Sequence, residues 1–279
     1  LLASSKYVFL NDNFMPMAFL NFKKGAVVTQ LWHAEGAFKR FGLSIEQPEN
    51  VRKNEIAGNK RLSYVVCSSK SVVPIYAEAF GVREEQVLPL GAPRADYLLK
   101  EENKTKAGTK IENLFPASKG KQILLYAPTF RDTKEENEKL LSKFDFELFK
   151  REFVDEYAVF VKLHPQVHES VSLPSFAFDV TEYDDVRELV LAADVLVTDY
   201  SSICMDFSLL SKKTVFFAFD EEKYTEERNF CFDYKTELPG EIAKTTEEVI
   251  ELLRAEPDEE KNKKFRDKNF DFLDCESAK

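Results

Sequence analysis

Apolar positions in this chain fall into short runs that alternate with helical patterns, in an order that repeats. Tyr7–Leu10, Val27–Leu31, Ser63–Cys67 and Val87–Leu90 are brief apolar runs bounded by polar and turn residues, which predicts four strands. An amphipathic stretch over Ser71–Phe80 predicts a helix between the last two, with Gly81 a fitting stop. A second series places strands at Ile123–Tyr126, Val159–Leu163, Val195–Thr198 and Thr214–Ala218, with a helix over Asp184–Ala193. Another helix follows Ser201-Ser202, where Ile203, Phe207 and Leu210 recur at helical spacing. Glu247–Arg254 and Glu259–Phe272 read as helices separated by Pro257.

Strand, helix, strand repetition predicts an α/β fold with parallel, doubly wound sheets. The polar stretch from Lys100 to Lys110 reads as a surface crossing between two units. The expected division is a Rossmann-like N-terminal domain over 1–100, a linker over 101–120 and a Rossmann-like C-terminal domain over 121–279. The chain opens on Leu1 rather than Met, and the first series has fewer strand-helix units than the second. The sequence therefore predicts a fragment with an incomplete N-terminal domain.

The polar residues that matter sit where the strands end. Val195–Thr198 stops on Asp199-Tyr200-Ser201-Ser202, and the two hydroxyls open at the start of a helix, where free N–H groups and the helix dipole favour an anion, most simply phosphate. A bare capping role for the serines is the plainer alternative. Val27–Leu31 exits into Trp32-His33, and Val159–Leu163 into His164-Pro165, where proline ends the strand. The strand ending at Tyr126 exits toward Thr129 and Arg131. Two of the three histidines thus stand at strand exits, where open α/β sheets hold their ligands, while His168 reads as solvated in a polar loop.

Composition narrows the class. With 279 residues, 44% of them hydrophobic, the chain can bury a substantial core. No apolar run approaches the roughly 18 residues of a membrane span, and Leu1-Leu-Ala-Ser-Ser-Lys6 leads into a strand rather than through a signal-peptide pattern. Cys67, Cys204, Cys231 and Cys275 share no metal or disulfide spacing, and Cys67 and Cys204 fall in apolar contexts expected to bury free thiols, as in a reducing cytosol. No Asp-x-Asp metal motif precedes a suitable loop, and Asp184-Asp185 reads as a helix start. The net charge is −10, yet through residue 100 there are 13 Lys and Arg against 9 Asp and Glu. Lys23-Lys24, Lys39-Arg40, Arg52-Lys53 and Lys60-Arg61 cluster there, interleaved with Phe22, Phe38 and Phe41, as a face for an anionic membrane or polyanion or simply for solvent. Nucleic acid does not fit the acidic remainder.

Five ordered motifs carry a family resemblance. Gln30-Leu-Trp-His-Ala-Glu-Gly-Ala-Phe-Lys-Arg-Phe-Gly42, Leu90-Gly-Ala-Pro-Arg-Ala-Asp-Tyr97, Tyr126-Ala-Pro-Thr-Phe-Arg-Asp132, Lys162-Leu-His-Pro165 and Thr198-Asp-Tyr-Ser-Ser202 resemble those of the CDP-glycerol glycerophosphotransferases, the teichoic-acid primases and polymerases. Val215-Phe-Phe-Ala-Phe-Asp-Glu-Glu-Lys-Tyr224 resembles the segment after that family's Ser-Ser helix. The chain departs from the family at Ala34-Glu35-Gly36, often Gly-Thr-Pro, and at Phe130, commonly Trp. Relatives carry a further strand-helix portion upstream and continue past the position of Lys279.

The resemblance implies two Rossmann-like domains facing across a cleft, of the GT-B type. It implies transfer of a polyol phosphate, glycerol phosphate first, from a CDP-polyol to a hydroxyl of a lipid-linked teichoic-acid or capsule-type acceptor, releasing CMP. On that reading His33 and His164 are catalytic, His33 as general base. Thr129, Arg131, Lys162, Asp199, Ser201 and Ser202 bind the donor, with Arg131 and Lys162 offsetting its charge and Asp199 holding the turn or meeting a hydroxyl. Trp32, Gly36, Lys39 and Arg40 lie on the acceptor side. No cofactor and no metal is expected, and the loop at Asp184-Asp185 is placed near the nucleotide. The enzyme would be cytoplasmic, peripheral on the inner face of the membrane through its basic N-terminal half. Two alternatives stand beside this: a polysialyltransferase-like enzyme using a CMP-sugar, which shares the His-Pro and Ser-Ser pattern, and a two-lobed protein that binds an anion without chemistry.

Overall fold

A computed structural model describes residues 2–131, 133–164, 173–227 and 229–277. His168 lies outside the described residues. The chain forms two compact units, the first of residues 1–96, 226–233 and 267–279, the second of 97–225 and 234–266.

The first unit holds β1 (Tyr7–Leu10), β2 (Val27–Gln30), α1 (Glu49–Asn59), β3 (Tyr64–Cys67), α2 (Val73–Phe80) and β4 (Val87–Pro89), and α3 (Pro93–Leu99) begins in it. Its sheet is parallel throughout, in the order β1-β2-β3-β4. Val8, Val28, Val65 and Cys67 turn inward to pack with Tyr76 and Phe80, while Tyr7, Phe9 and Tyr64 on the alternate positions are exposed. That two-residue period is what the sequence shows as half-apolar runs. Helix α2 ends at Gly81 in the left-handed conformation (φ 61°), as expected of a glycine stop. Phe38 is buried and Phe41 packs against the core, so these rings do not belong to the basic surface on which the sequence placed them.

The second unit contains α4 (Glu101–Leu114), β5 (Gln122–Ala127), α5 (Lys134–Leu140), α6 (Phe146–Phe153), β6 (Tyr157–Val161), β7 (Ala177–Asp179) and α7 (Val186–Ala192). It continues through β8 (Val195–Thr198), α8 (Ile203–Ser208), β9 (Lys213–Phe217), α9 (Glu221–Glu227), β10 (Glu241–Ala243), α10 (Thr246–Arg254) and α11 (Glu259–Asn269). All six strands are parallel in the order β10-β9-β8-β5-β6-β7. The chain starts in the middle at β5, winds outward through β6 and β7, then returns to the other side of β5 at β8. This is the doubly wound order, with its reversal between β5 and β8. Every residue of β6 and β8 is buried, as helices on both faces require.

Three expectations change here. The segment read as a linker over 101–120 is largely helix: Ala107 and Ile111, one turn apart, are buried on the face of α4 toward α7, and Lys110 pairs with Glu188 at 2.6 Å. The domain boundary is not a single cut, because late segments return to the first unit. Lys39 bridges Phe230, the Cys231 N–H donates to the Phe38 carbonyl (3.1 Å), and Asn269 receives the Ala37 N–H at 3.2 Å. The strand read as Val159–Leu163 ends at Val161, which releases Lys162 to His164 as an irregular exit. The thiols of Cys67 and Cys204 are free and buried, as their contexts predicted.

Two consecutive lysines cap helix ends from the start of β9. Lys212 Nζ donates to the carbonyls of Leu191 (3.0 Å) and Ala193 at the end of α7, and Lys213 Nζ to those of Leu252, Leu253 (2.6 Å) and Ala255 at the end of α10. Burial brings the Lys212 ammonium from 10.5 down to about 8, against the opposing pull of Asp194. Below pH 8 the folded chain carries this buried charge at a cost on the order of 3 kcal/mol. Above pH 8 the folded state releases the proton while the unfolded state keeps it to about 10.5, so this contribution to stability rises with pH. Urea titrations at pH 7 and 9.5 are expected to show wild type gaining stability relative to Lys212→Met over that interval.

Candidate active site

The carboxyl ends of β5, β6, β8 and β9 gather the chemistry of the second unit at the strand-order reversal. Thr198 closes β8 and donates its hydroxyl to the Ala127 carbonyl at the end of β5 (2.7 Å), which joins the two exits. Asp199 then turns back. Its Oδ1 accepts the N–H groups of Thr129 (2.7 Å) and Tyr200 (2.6 Å), and its Oδ2 accepts Arg131 Nη2 at 3.0 Å. Asp220, beyond β9, takes Arg131 Nε at 2.8 Å, Nη2 at 3.0 Å and the Tyr200 hydroxyl at 2.9 Å. Arg131 Nη1 donates to the Thr129 carbonyl at 2.5 Å, and Asn137 clamps the Arg131 backbone from both sides at 2.7 Å.

Arg131 is 7% exposed and held between two carboxylates, with its guanidinium carbon 5.2 Å from the ring centres of both Tyr200 and Tyr224. Those rings stack at 3.6 Å and 9°. Burial works against the cation, but Asp199 and Asp220 outweigh it and hold its proton more tightly than usual. Four of the five Arg131 N–H groups go to Asp199, Asp220 and the Thr129 carbonyl. The task of Arg131 is to lock the exits of β5, β8 and β9 in register, and Asp199 holds the turn. Burial, and then Asp220, raise the Tyr200 phenol, which therefore stays protonated as a donor.

What the frame leaves open is specific. The Thr129 hydroxyl is buried and has no hydrogen-bond partner among the described residues. Ser201 Oγ accepts the Ile203 N–H weakly, at 3.4 Å, whereas Ser202 is exposed and its side chain caps nothing. His164 is exposed, with its ring 4.5 Å from that of Phe130 at 35°. Lys162 Nζ donates to the carbonyls of Thr181 and of Tyr183 (3.0 Å), so two of its three N–H groups pin the loop before α7. Burial lowers its proton affinity, against the pull of Glu182, Asp179 and Asp184. Asp185 starts α7 by accepting the Arg187 N–H at 3.0 Å, the helix-start role read from the sequence.

In the first unit, His33 sits on an unusual piece of backbone. Trp32 takes φ 61°, a left-handed conformation that costs a bulky residue about 1–3 kcal/mol. Its N–H donates to Gln30 Oε1 (2.9 Å), and Gln30 is fixed in turn by donating Nε2 to the Asp12 carbonyl at 3.0 Å. The indole stacks on Phe41 at 4.9 Å and meets Phe80 edge-on at 5.2 Å. His33 itself is exposed, with Nδ1 3.2 Å from the Asn11 carbonyl and 3.6 Å from the Asp12 carboxylate. Gly36 (φ 62°) gives its N–H to the Ser68 hydroxyl at 3.0 Å, and the Tyr76 hydroxyl donates to the carbonyls of Ala34 and Gly36. Arg40 pairs with Glu78 at 3.3 Å, and Lys39 forms a backbone bridge to Phe230.

Sequence reasoning missed Asp220, Tyr200, Tyr224 and Tyr234, whose hydroxyl donates to the Asp199 carbonyl at 3.0 Å. Asp220 had a signal, a carboxylate just past an apolar run like the other strand exits. Among the described residues no group of three or more His, Cys, Asp or Glu side chains is placed to hold a metal ion.

Comparison with known proteins agrees with this fold. A family model described as CDP-Glycerol:Poly(glycerophosphate) glycerophosphotransferase covers residues 1–279. A teichoic acid poly(ribitol-phosphate) polymerase of Bacillus spizizenii is 35% identical over 91% of this chain and 42% of its own length. A teichoic acid glycerol-phosphate primase of Bacillus subtilis is 30% identical over 100% of this chain and 72% of its own. The solved structure of the wall teichoic acid polymerase TagF superposes with a TM-score of 0.82 at 26% identity, over 98% of this chain and 70% of that one, and a form of that polymerase was soaked with CDPG. The chain spans about half the length of the first curated relatives it matches, 42%, 56% and 51%.

Proposed function

Because the chain belongs to the CDP-glycerol:poly(glycerophosphate) glycerophosphotransferase family, we propose that it transfers a polyol phosphate, glycerol phosphate first, from a CDP-polyol to a hydroxyl of a lipid-linked teichoic-acid or capsule-type acceptor. The observation that carries this reading is the buried, unpartnered Thr129 hydroxyl at the strand-order reversal, beside strand exits that bring Ser201, Ser202 and His164. A hydroxyl left without a partner in a buried position costs stability unless a ligand meets it. The donor pyrophosphate supplies several acceptor oxygens for it.

In the proposed reaction the acceptor oxygen attacks the phosphorus that bears the polyol. A new P–O bond forms, the bond from that phosphorus to the bridging oxygen breaks, and CMP leaves with the bonding pair. His33 takes the proton of the attacking hydroxyl, a role suited to imidazole near neutral pH, and His164 donates to the departing phosphate. Thr129, Ser201 and Ser202 hold the donor phosphates, with the third N–H of Lys162 toward their charge. Trp32, Gly36, Lys39 and Arg40 line the acceptor side. Arg131 and Asp199 act through Thr129 and the Tyr200 turn rather than by touching the donor. Substitution at phosphorus is redox neutral, so the reading needs no redox cofactor.

The test is CMP release by purified protein given CDP-glycerol, CDP-ribitol or CMP-sialic acid, with and without a membrane-lipid acceptor extract. Acceptor-dependent CMP from one CDP-polyol is expected. CMP from the sialic-acid donor alone would overturn the assignment.

Peripheral contact with the inner face of a membrane is part of the same proposal. No helix among the described residues is long and apolar enough to cross one. Phe19 is 74% exposed and Lys23-Lys24 are exposed close behind it in sequence, a pairing suited to an anionic interface. Sedimentation with vesicles containing anionic lipid is expected to retain the protein at low salt and to lose it for the triple change Phe19→Ser, Lys23→Glu, Lys24→Glu. Equal retention of both proteins would remove this surface from the account.

A further inference from the structure

The amino ends of β9 and β10, the edge of the second sheet remote from Thr129 and Asp199, border a cavity of about 370 Å³, within the range of small-molecule sites. The starts of both strands, the end of α10 and the first turns of α11 form its walls. Thr214 is 4% exposed and Asn262 6%. The Thr214 hydroxyl and both the nitrogen and oxygen of the Asn262 amide have no hydrogen-bond partner among the described residues, although both residues border the cavity. Buried amides are almost always satisfied, so a fully unpaired one on a cavity wall calls for a partner from outside the chain.

The rest of the wall defines that partner. The Lys212 and Lys213 ammonium groups are committed to helix-end carbonyls, Arg266 donates to the Ser211 hydroxyl at 2.8 Å, and Glu241 pairs with Lys261 at 2.8 Å. Four cations, Lys212, Lys213, Lys263 and Arg266, are matched by four anions, Glu241, Glu256, Asp258 and Glu259, so the wall does not select an ion of either sign. Val215, Leu252 and Pro257 add apolar surface.

We propose that this cavity binds a small neutral polyhydroxylated molecule, a free polyol or a monosaccharide. Its hydroxyls donate to Asn262 Oδ1, accept from Asn262 Nδ2 and exchange a hydrogen bond with Thr214 Oγ1, while its C–H face rests on Val215, Leu252 and Pro257. The site does not depend on the transferase reading, since it shares no residue with the reaction edge.

The experiment is titration of glycerol, ribitol and glucose into the whole chain, followed by the side-chain amide resonances of Asn262 and by ligand-observed saturation transfer. A saturable shift of the Asn262 amide with at least one probe is expected, and the responding probe separates polyol from sugar. Saturation transfer is expected to vanish in Asn262→Leu and to require about ten-fold more ligand in Thr214→Val, a near-isosteric change that preserves the fold. No saturable shift with any probe, or saturation transfer that survives both substitutions, would overturn the proposal and leave ordered solvent as the partner of these groups.

Discussion

Arg131→Met is expected to lower the stability of the second unit by about 3–5 kcal/mol, the range for removing one partner of a buried ion cluster. Asp199 and Asp220 share the single guanidinium, and without it Asp199 Oδ2 and Asp220 Oδ2 lose the donor that joins them, while Asp199 Oδ1 keeps its two backbone N–H groups and Asp220 the Tyr200 hydroxyl. Arg131→Lys is expected to fall between wild type and Arg131→Met, since an ammonium keeps the charge without the fork that meets both acids. Chemical denaturation checks this, and a stability change below about 1 kcal/mol would show that the cluster does not organise the strand exits.

His164→Ala is the opposite case. The imidazole is exposed beyond the end of β6, so its removal is expected to change stability by less than about 0.5 kcal/mol. If it donates to the departing phosphate, CMP release falls by about 10²–10⁴-fold with little change in the KM for the CDP-polyol. Rates within a few-fold of wild type would remove His164 from the chemistry and leave it as part of the wall beside Phe130. The two substitutions together separate the residue that builds the site from the residue that acts in it.

That separation is what sequence could not supply. Charged and polar residues at strand exits were legible because Val, Ile and Leu runs stop abruptly there, and the same runs place β5, β8 and β9 to within a residue or two. Whether Arg131 faces a ligand or two aspartates depends on where three strand ends meet, and the chain brings Asp220 there from 89 positions away. Helix α4 was illegible for a different reason. Its amphipathic signal consists of little more than Ala107 and Ile111 on a charged background, and the partner face on α7 is what makes two residues enough. Phe38 and Phe41 stand beside Lys39-Arg40 in sequence, yet tertiary packing turns the rings inward while Arg40 stays exposed. The return of Phe230, Cys231 and Asn269 to the first unit is likewise a matter of long-range backbone pairing, which leaves no local mark.

The central claim is that the strand-order reversal of the second unit, through the Thr129 hydroxyl, receives the donor phosphates. The most direct measurement is calorimetric titration of CDP-glycerol into wild type and Thr129→Val, with the folding stability of both proteins alongside. Removing an unpartnered buried hydroxyl is expected to stabilise the free protein by about 1 kcal/mol and to weaken CDP-glycerol binding about ten-fold. Equal affinities in the two proteins would contradict the account and move the donor away from this edge.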